Sequence, residues 1–139
     1  MLDVLLLVLA VVAAAVLALV VTGMVRVALL RRRHRGRVAA LAPEHQGRAV
    51  LFGVASDGRT QVRGVGTLVL AADEVAFLTL VAGRDLHVRR DDVTSVSLTR
   101  TFMGRGTGGD LLLVTWETNG LGDAAAFSVE DPTSWRDRL

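Results

Sequence analysis

The chain contains no cysteine, no lysine and no tyrosine, and only two prolines in 139 residues. Missing cysteine excludes disulfides, thiolate catalysis and Cys-ligated zinc or iron–sulfur centres. Missing lysine means that all sixteen basic residues are Arg; fourteen acids oppose them, for a net charge of +2. It also explains a pI of about 10.8. No side chain titrates between His, at about 6.5, and Arg, above about 12. The pI therefore marks an Arg-only alphabet and not a strongly basic surface.

Apolar residues, by contrast, are plentiful and unevenly placed, at 51% of the chain. Leu2 to Leu30 holds 25 of them in 29 positions, the exceptions being Asp3, Thr22, Gly23 and Arg26. The charge-free run Val4–Val25 has 22 residues. As a helix it reaches roughly 33 Å, against about 30 Å for a hydrocarbon core. It has no Pro, so a helix can satisfy every backbone group internally. A cleaved signal peptide needs a basic start, a shorter apolar core and a small-residue cleavage site. This chain begins Met1-Leu2-Asp3 and follows its run with Arg, so residues 1–30 read as a transmembrane anchor. Arg26 can snorkel to the interface. Ala10, Ala14, Ala18 and Thr22 recur every four residues, a stripe that would let a second copy approach. The abundance of Ala alone also produces such a stripe.

Arg31, Arg32, Arg33, Arg35 and Arg37 crowd five guanidinium groups into seven residues. They lie C-terminal to the span, while only Asp3 and the terminal amine precede it. The positive-inside rule then expects a single-pass protein of the cell (inner) membrane, N-terminus outside and C-terminal domain cytoplasmic. These five are the expected membrane-surface contacts, each contributing about 1 kcal/mol near an anionic leaflet. A tethered run without interleaved aromatics is not a nucleic-acid site. His34 reads as one more member of this solvated stretch. Residues 1–47 carry six Arg against Asp3 and Glu44, a net +4; residues 48–139 carry ten Arg against twelve acids, a net −2. Residues 31–47 form the juxtamembrane stretch and linker, in which Val38–Gly47 is the linker and Pro43 stops the helix.

From Arg48 onward, short apolar runs alternate with turn signals every eight to twelve residues, the pattern of a β-sandwich or barrel. Strands are expected at Arg48–Ser56, Thr60–Leu70 with a bend at Gly64 or Gly66, Glu74–Val81, Arg84–Arg89, Val93–Phe102, Leu111–Glu117 and Ala124–Val129. Asp57-Gly58 reads as a two-residue hairpin turn. The chain ends in a short helix, with Asp131 as cap, Pro132 at its first position, and Trp135 and Leu139 on one face. Trp116 and Trp135 are expected in the core.

Gly66-Thr67-Leu68-Val69-Leu70, an acidic turn, then Val75-Ala76-Phe77-Leu78 resembles the central hairpin of bacterial pleckstrin-homology-like (GRAM-type) domains. Asp92-Val93-Thr94-Ser95-Val96 resembles their next step. The resemblance spans residues 48–139 and implies a partly open seven-stranded barrel capped by a short C-terminal helix. Span, basic stretch and module together are similar to small membrane proteins of high-GC bacteria such as actinobacteria. Ala71 stands where the family usually has Thr, and the last helix is short. Phosphoinositide-binding members gather cations at the first hairpin; here only Arg59 and Arg63 stand there, so inositol-phosphate binding is not carried over.

Catalytic patterns are thin. Gly104-x-Gly106-x-x-Gly109 is formally a dinucleotide motif, but a strand follows where a helix is required. Phe102–Asp110 reads instead as a flexible loop, with Arg105 at its tip available to a partner. His34, His45 and His87 fall in separate segments without ligand spacing, and no Ser sits in a nucleophile elbow. Asp91-Asp92 reads as a solvated turn. No enzyme, cofactor or metal site is expected. The expectation is a membrane-anchored interaction module that docks a protein partner at the inner leaflet. The alternative is an anionic-lipid sensor using the Arg run with Arg59, Arg63 and Arg105.

Overall fold

The apolar, Pro-free N-terminal run forms a helix, as its composition requires. The computed structural model describes residues 1–58, 60–81 and 83–139, which divide into two compact units, Met1–Arg33 and His34–Leu139. Helix α1, Leu2–Ala40, is unbroken. Every residue of Met1–Arg33 is exposed, and the helix is long and apolar enough to cross a membrane. Within it, the Thr22 hydroxyl donates to the Ala18 carbonyl at 2.7 Å. The one hydroxyl of the run is thus satisfied inside the helix, as lipid surroundings demand.

The second unit begins with the last turns of α1 and continues into seven strands: β1 (His45–Val54), β2 (Gly64–Leu70), β3 (Glu74–Thr79), β4 (Leu86–Arg89), β5 (Val93–Phe102), β6 (Arg105–Thr118) and β7 (Leu121–Val129). They form one antiparallel sheet in the order β4-β3-β2-β1-β7-β6-β5. The sheet does not close; β4 and β5 are its edges. Helix α2, Pro132–Arg138, follows. Asp131 caps it by accepting from the Ser134 backbone N–H at 3.0 Å, and Pro132 costs nothing at the first turn, where its N–H would have no partner.

The sheet is apolar on both faces. On the inner face Leu51, Leu68, Phe77, Leu112, Phe127 and Trp116 pack with Trp135 of α2. Both tryptophans are therefore in the core, as expected. Trp135 lies against His45, with ring centroids 4.5 Å apart, and above Gly47, where a Cβ would come within 3.3 Å of its ring. On the outer face Val69, Ala76 and Leu78 of β2 and β3 are covered by Val38 and Leu41. A strand buried on both sides reads as a continuous apolar run, and Leu68-Val69-Leu70 and Val75-Ala76-Phe77-Leu78 are such runs.

The start of this unit differs from the expected linker. α1 continues to Ala40, and β1 starts at His45, paired with Leu70, not at Arg48. Three residues after Ala40, Pro43 bars further helix. The Asp57-Gly58 hairpin turn does not form. Ala55–Asp57 is a single 3-10 turn, and the ladder resumes only where Leu51 meets Gly64. Side chains satisfy this connection instead. Gln61 Oε1 accepts from the Val54 N–H at 2.8 Å, its amide donates to the Gly58 carbonyl, and Asp57 accepts from Arg84. The glycine-rich Phe102–Asp110 is not a loop either. Met103 and Gly104, with φ of 52° and 74°, make a two-residue turn of the kind that matches strand twist. Thr99 pairs with Leu111 but Thr101 with Gly106, so Thr107–Asp110 bulge opposite Arg100 without ending β6.

Candidate functional site

Two groups of polar residues in the second unit are more than surface. The first joins the end of α1 to the sheet. His34 is buried. Its Nδ1 lies 3.2 Å from the Thr79 carbonyl oxygen and its Nε2 2.8 Å from the Thr67 hydroxyl. Arg37, one turn on, donates to Asp85 and reaches the Thr79 carbonyl at 3.5 Å. Asp85 also accepts from the Thr79 N–H at 2.9 Å and its hydroxyl at 3.0 Å. His34 is thus not part of a solvated run, and Arg37, expected at the membrane surface, is held by a protein carboxylate. A spacing of three to four residues puts His34, Arg37, Val38 and Leu41 on one helix face, which is the face the sheet covers. Arg31, Arg32, Arg33 and Arg35 are exposed.

The second group lies where the β1–β2 connection, the β3–β4 connection and the β5–β6 turn meet. Arg63 and Arg105 share a cleft of about 280 Å³ with Phe52, Gln61, Phe102 and Met103. The Arg63 guanidinium carbon sits 4.5 Å from the centroid of the Phe52 ring, a cation–π distance. Phe52 and Phe102 belong to one outer-face cluster with Leu111 and Ala126, which fixes the aromatic floor. A second cleft of about 280 Å³ also includes Arg63, with Val62, Val65, Leu80, Val81 and Arg84. Asp57 accepts from Arg84 and ties the two connections together; its Oδ2 is buried with no hydrogen-bond partner among the described residues.

Two of the three arginines singled out beyond the juxtamembrane run therefore come together, although 42 positions separate them in the chain. The third, Arg59, lies outside the described residues. Among the described residues neither Arg63 nor Arg105 has a carboxylate at ion-pair distance, whereas Arg37, Arg84, Arg89, Arg90, Arg100 and Arg136 do. Among the described residues of the second unit, six large apolar ones are exposed: Val62, Val65, Leu80, Val81, Met103 and Leu121. The first five line these two clefts. We refer to this region as the rim.

The remaining candidates separate. His87 is exposed and meets Glu74 at 3.0 Å, and Asp91 and Asp92 lie in a 3-10 turn. Among the described residues no three His, Asp or Glu side chains gather as a metal site would need. Sequence reading missed Arg84, Asp85 and Thr79. The sequence offered only the adjacent charges Arg84-Asp85 soon after an apolar run, and their partners lie in other segments.

No family model, curated protein or solved structure matches this chain.

Proposed function

We propose that this protein is a membrane-anchored, non-catalytic interaction module whose rim docks a protein partner at the inner leaflet. The observation that carries the reading is the gathering of five of the six exposed large apolar residues described in the second unit around two clefts that share Arg63. Monomeric domains rarely leave such apolar surface together unless it binds something. Unpaired Arg63 and Arg105 select for an acidic segment, since guanidinium pairs with carboxylate in a fork that fixes geometry. The strand order and the capping α2 support the likeness to pleckstrin-homology-like domains. The arginines that follow the span support a cytoplasmic second unit; a C-terminal reporter active only outside the cytoplasm would contradict that orientation.

The same apolar rim and cations favour a second reading, contact with an anionic lipid surface. One experiment separates the two. A photocrosslinking residue at Met103 or Val81 of the full chain, activated in native membranes, is expected to yield one discrete protein adduct. The Arg63→Glu/Arg105→Glu variant should lose it, and a probe at Asp73 should never give it. A lipid adduct in its place supports the second reading. Absence of both from the rim would sink the module assignment.

A further inference from the structure

A cleft of about 570 Å³ runs between the flank of α1 and the outer face of β1. Arg35, Val38 and Ala39 stand on one side, spaced as one helix face, and Gln46, Gly47 and Arg48 of β1 on the other, with Pro43 and Thr67 completing the lining. Arg48 is directly opposite Thr67 in the β1–β2 register, so their side chains share a face. That face is the one α1 covers, because Thr67 bonds His34. The last turns of α1 cover β2 and β3 through Val38 and Leu41, and β1 is left as the open wall.

The charge balance of this cleft is unusual for its setting. Residues 48–139 carry more acids than arginines, and six arginines there or in the end of α1 have an acidic partner. Among the described residues neither Arg35 nor Arg48 has one. Glu44, close to Pro43 in sequence, is engaged by Arg90 at 3.0 Å. The cleft is therefore lined by two arginines without an acidic partner among the described residues, with Val38, Ala39 and Pro43 as its apolar part and Gln46 and Thr67 as its neutral polar part. Its complement is an anion with an apolar body attached.

We propose that this cleft binds one anionic phospholipid. The phosphate bridges Arg35 and Arg48, and the glycerol and first methylenes lie on Val38, Ala39 and Pro43. The occupant follows from the chain itself. Arg35 is five positions past Leu30, the end of a run able to cross a membrane. Phospholipid is thus the amphiphilic anion present at highest concentration. Basic pockets close to spans take anionic headgroups, and about 570 Å³ is within the range of small-ligand sites. The inference rests on the membrane reading of Leu2–Leu30 and not on the rim.

Native mass spectrometry of the full chain in detergent, with phosphatidylglycerol, phosphatidylcholine or inorganic phosphate added, tests it. Retention of phosphatidylglycerol is expected to exceed that of phosphatidylcholine by about tenfold, on the order of one good charge-assisted contact. Arg48→Ala and Arg35→Ala should each bring it near the phosphatidylcholine level. Ala39→Glu should do the same with both arginines in place, while Arg63→Ala/Arg105→Ala should retain the preference. Equal retention of the two lipids overturns the proposal. So does a preference that survives the Arg35→Ala/Arg48→Ala change or vanishes with the rim arginines. Displacement of the lipid by inorganic phosphate would mean a free-anion site and would also overturn it.

Discussion

Nε2 of His34 stands 2.8 Å from the hydroxyl oxygen of Thr67, across 33 positions of sequence. The other ring nitrogen faces the Thr79 carbonyl, which can only accept. Nδ1 therefore carries the hydrogen, and in the neutral ring Nε2 accepts from the Thr67 hydroxyl. One side chain thus joins α1 to both β2 and β3.

Replacing His34 with Ala should destabilise the second unit by about 1–3 kcal/mol, because it removes a buried ring that bonds the Thr79 carbonyl and the part-buried Thr67 hydroxyl. Thermal unfolding of the full chain in detergent, followed by near-ultraviolet circular dichroism, measures this. Thr67→Val should cost less. The double variant should fall short of the sum of the two, since the residues share one bond. Strict additivity would show that the contact contributes nothing.

Val38 makes the apolar half of the same junction. Val38→Asp puts a carboxylate against Val69, Ala76 and Leu78, and should cost about 3 kcal/mol or more. Val38→Ala should cost about 1–2 kcal/mol. Ala39→Asp, one position along on the exposed side, should change stability little. If the two Asp variants proved equal, α1 would not be packed on the sheet as described.

Sequence legibility follows this same division between local and long-range causes. The β7 interior and α2 were legible because a short apolar run bounded by the Asn119-Gly120 turn, an Asp cap and a Pro at the first turn act within a few residues. His34 was not, because its neighbours in sequence are arginines and its partners are 33 and 45 positions away. The clue lay elsewhere, in β2 and β3, whose unbroken apolar runs demanded a second cover that only α1 could supply. Asp57-Gly58 misled because turn preference is weak against the bonds that Gln61 and Arg84 offer this connection. The glycines after Phe102 misled because glycine suits a bulged strand as well as a loop. At the rim, Arg63 and Arg105 were both legible as exposed cations, but only the sheet order brings their connections together.

Gly66 should be irreplaceable for a steric reason. A Cβ there would strike the Leu78 carbonyl and the Phe77 ring, and backbone cannot yield as a flexible side-chain end can. Gly66→Ala should separate β2 from β3 near the Gly66–Thr79 pair and prevent folding or cost several kcal/mol, on the order of other severe strain effects. Gly109→Ala, where nothing lies within 4 Å, is the control and should cost less than about 1 kcal/mol. Amide hydrogen exchange should locate the Gly66→Ala lesion at Leu68–Leu78. An undisturbed β2–β3 ladder in that variant would contradict the close approach.

Asp85 and Arg37 form an ion pair whose two members should matter unequally. The Arg37 side chain is 45% exposed, and pairs so open to water typically contribute 1 kcal/mol or less. Arg37→Ala should therefore cost less than about 1 kcal/mol, and raising salt should remove most of that. Asp85 has a second task, accepting from the backbone N–H and hydroxyl of Thr79. Asp85→Ala leaves both without that acceptor at the end of β3 and should cost about 2 kcal/mol, largely independent of salt. Asp85→Asn keeps an acceptor oxygen and should fall between the two. Salt titrations of unfolding midpoints for the three variants decide the matter. Equal losses for Arg37→Ala and Asp85→Ala would mean that the charge pair, and not the Thr79 bonds, holds the β3–β4 connection in place.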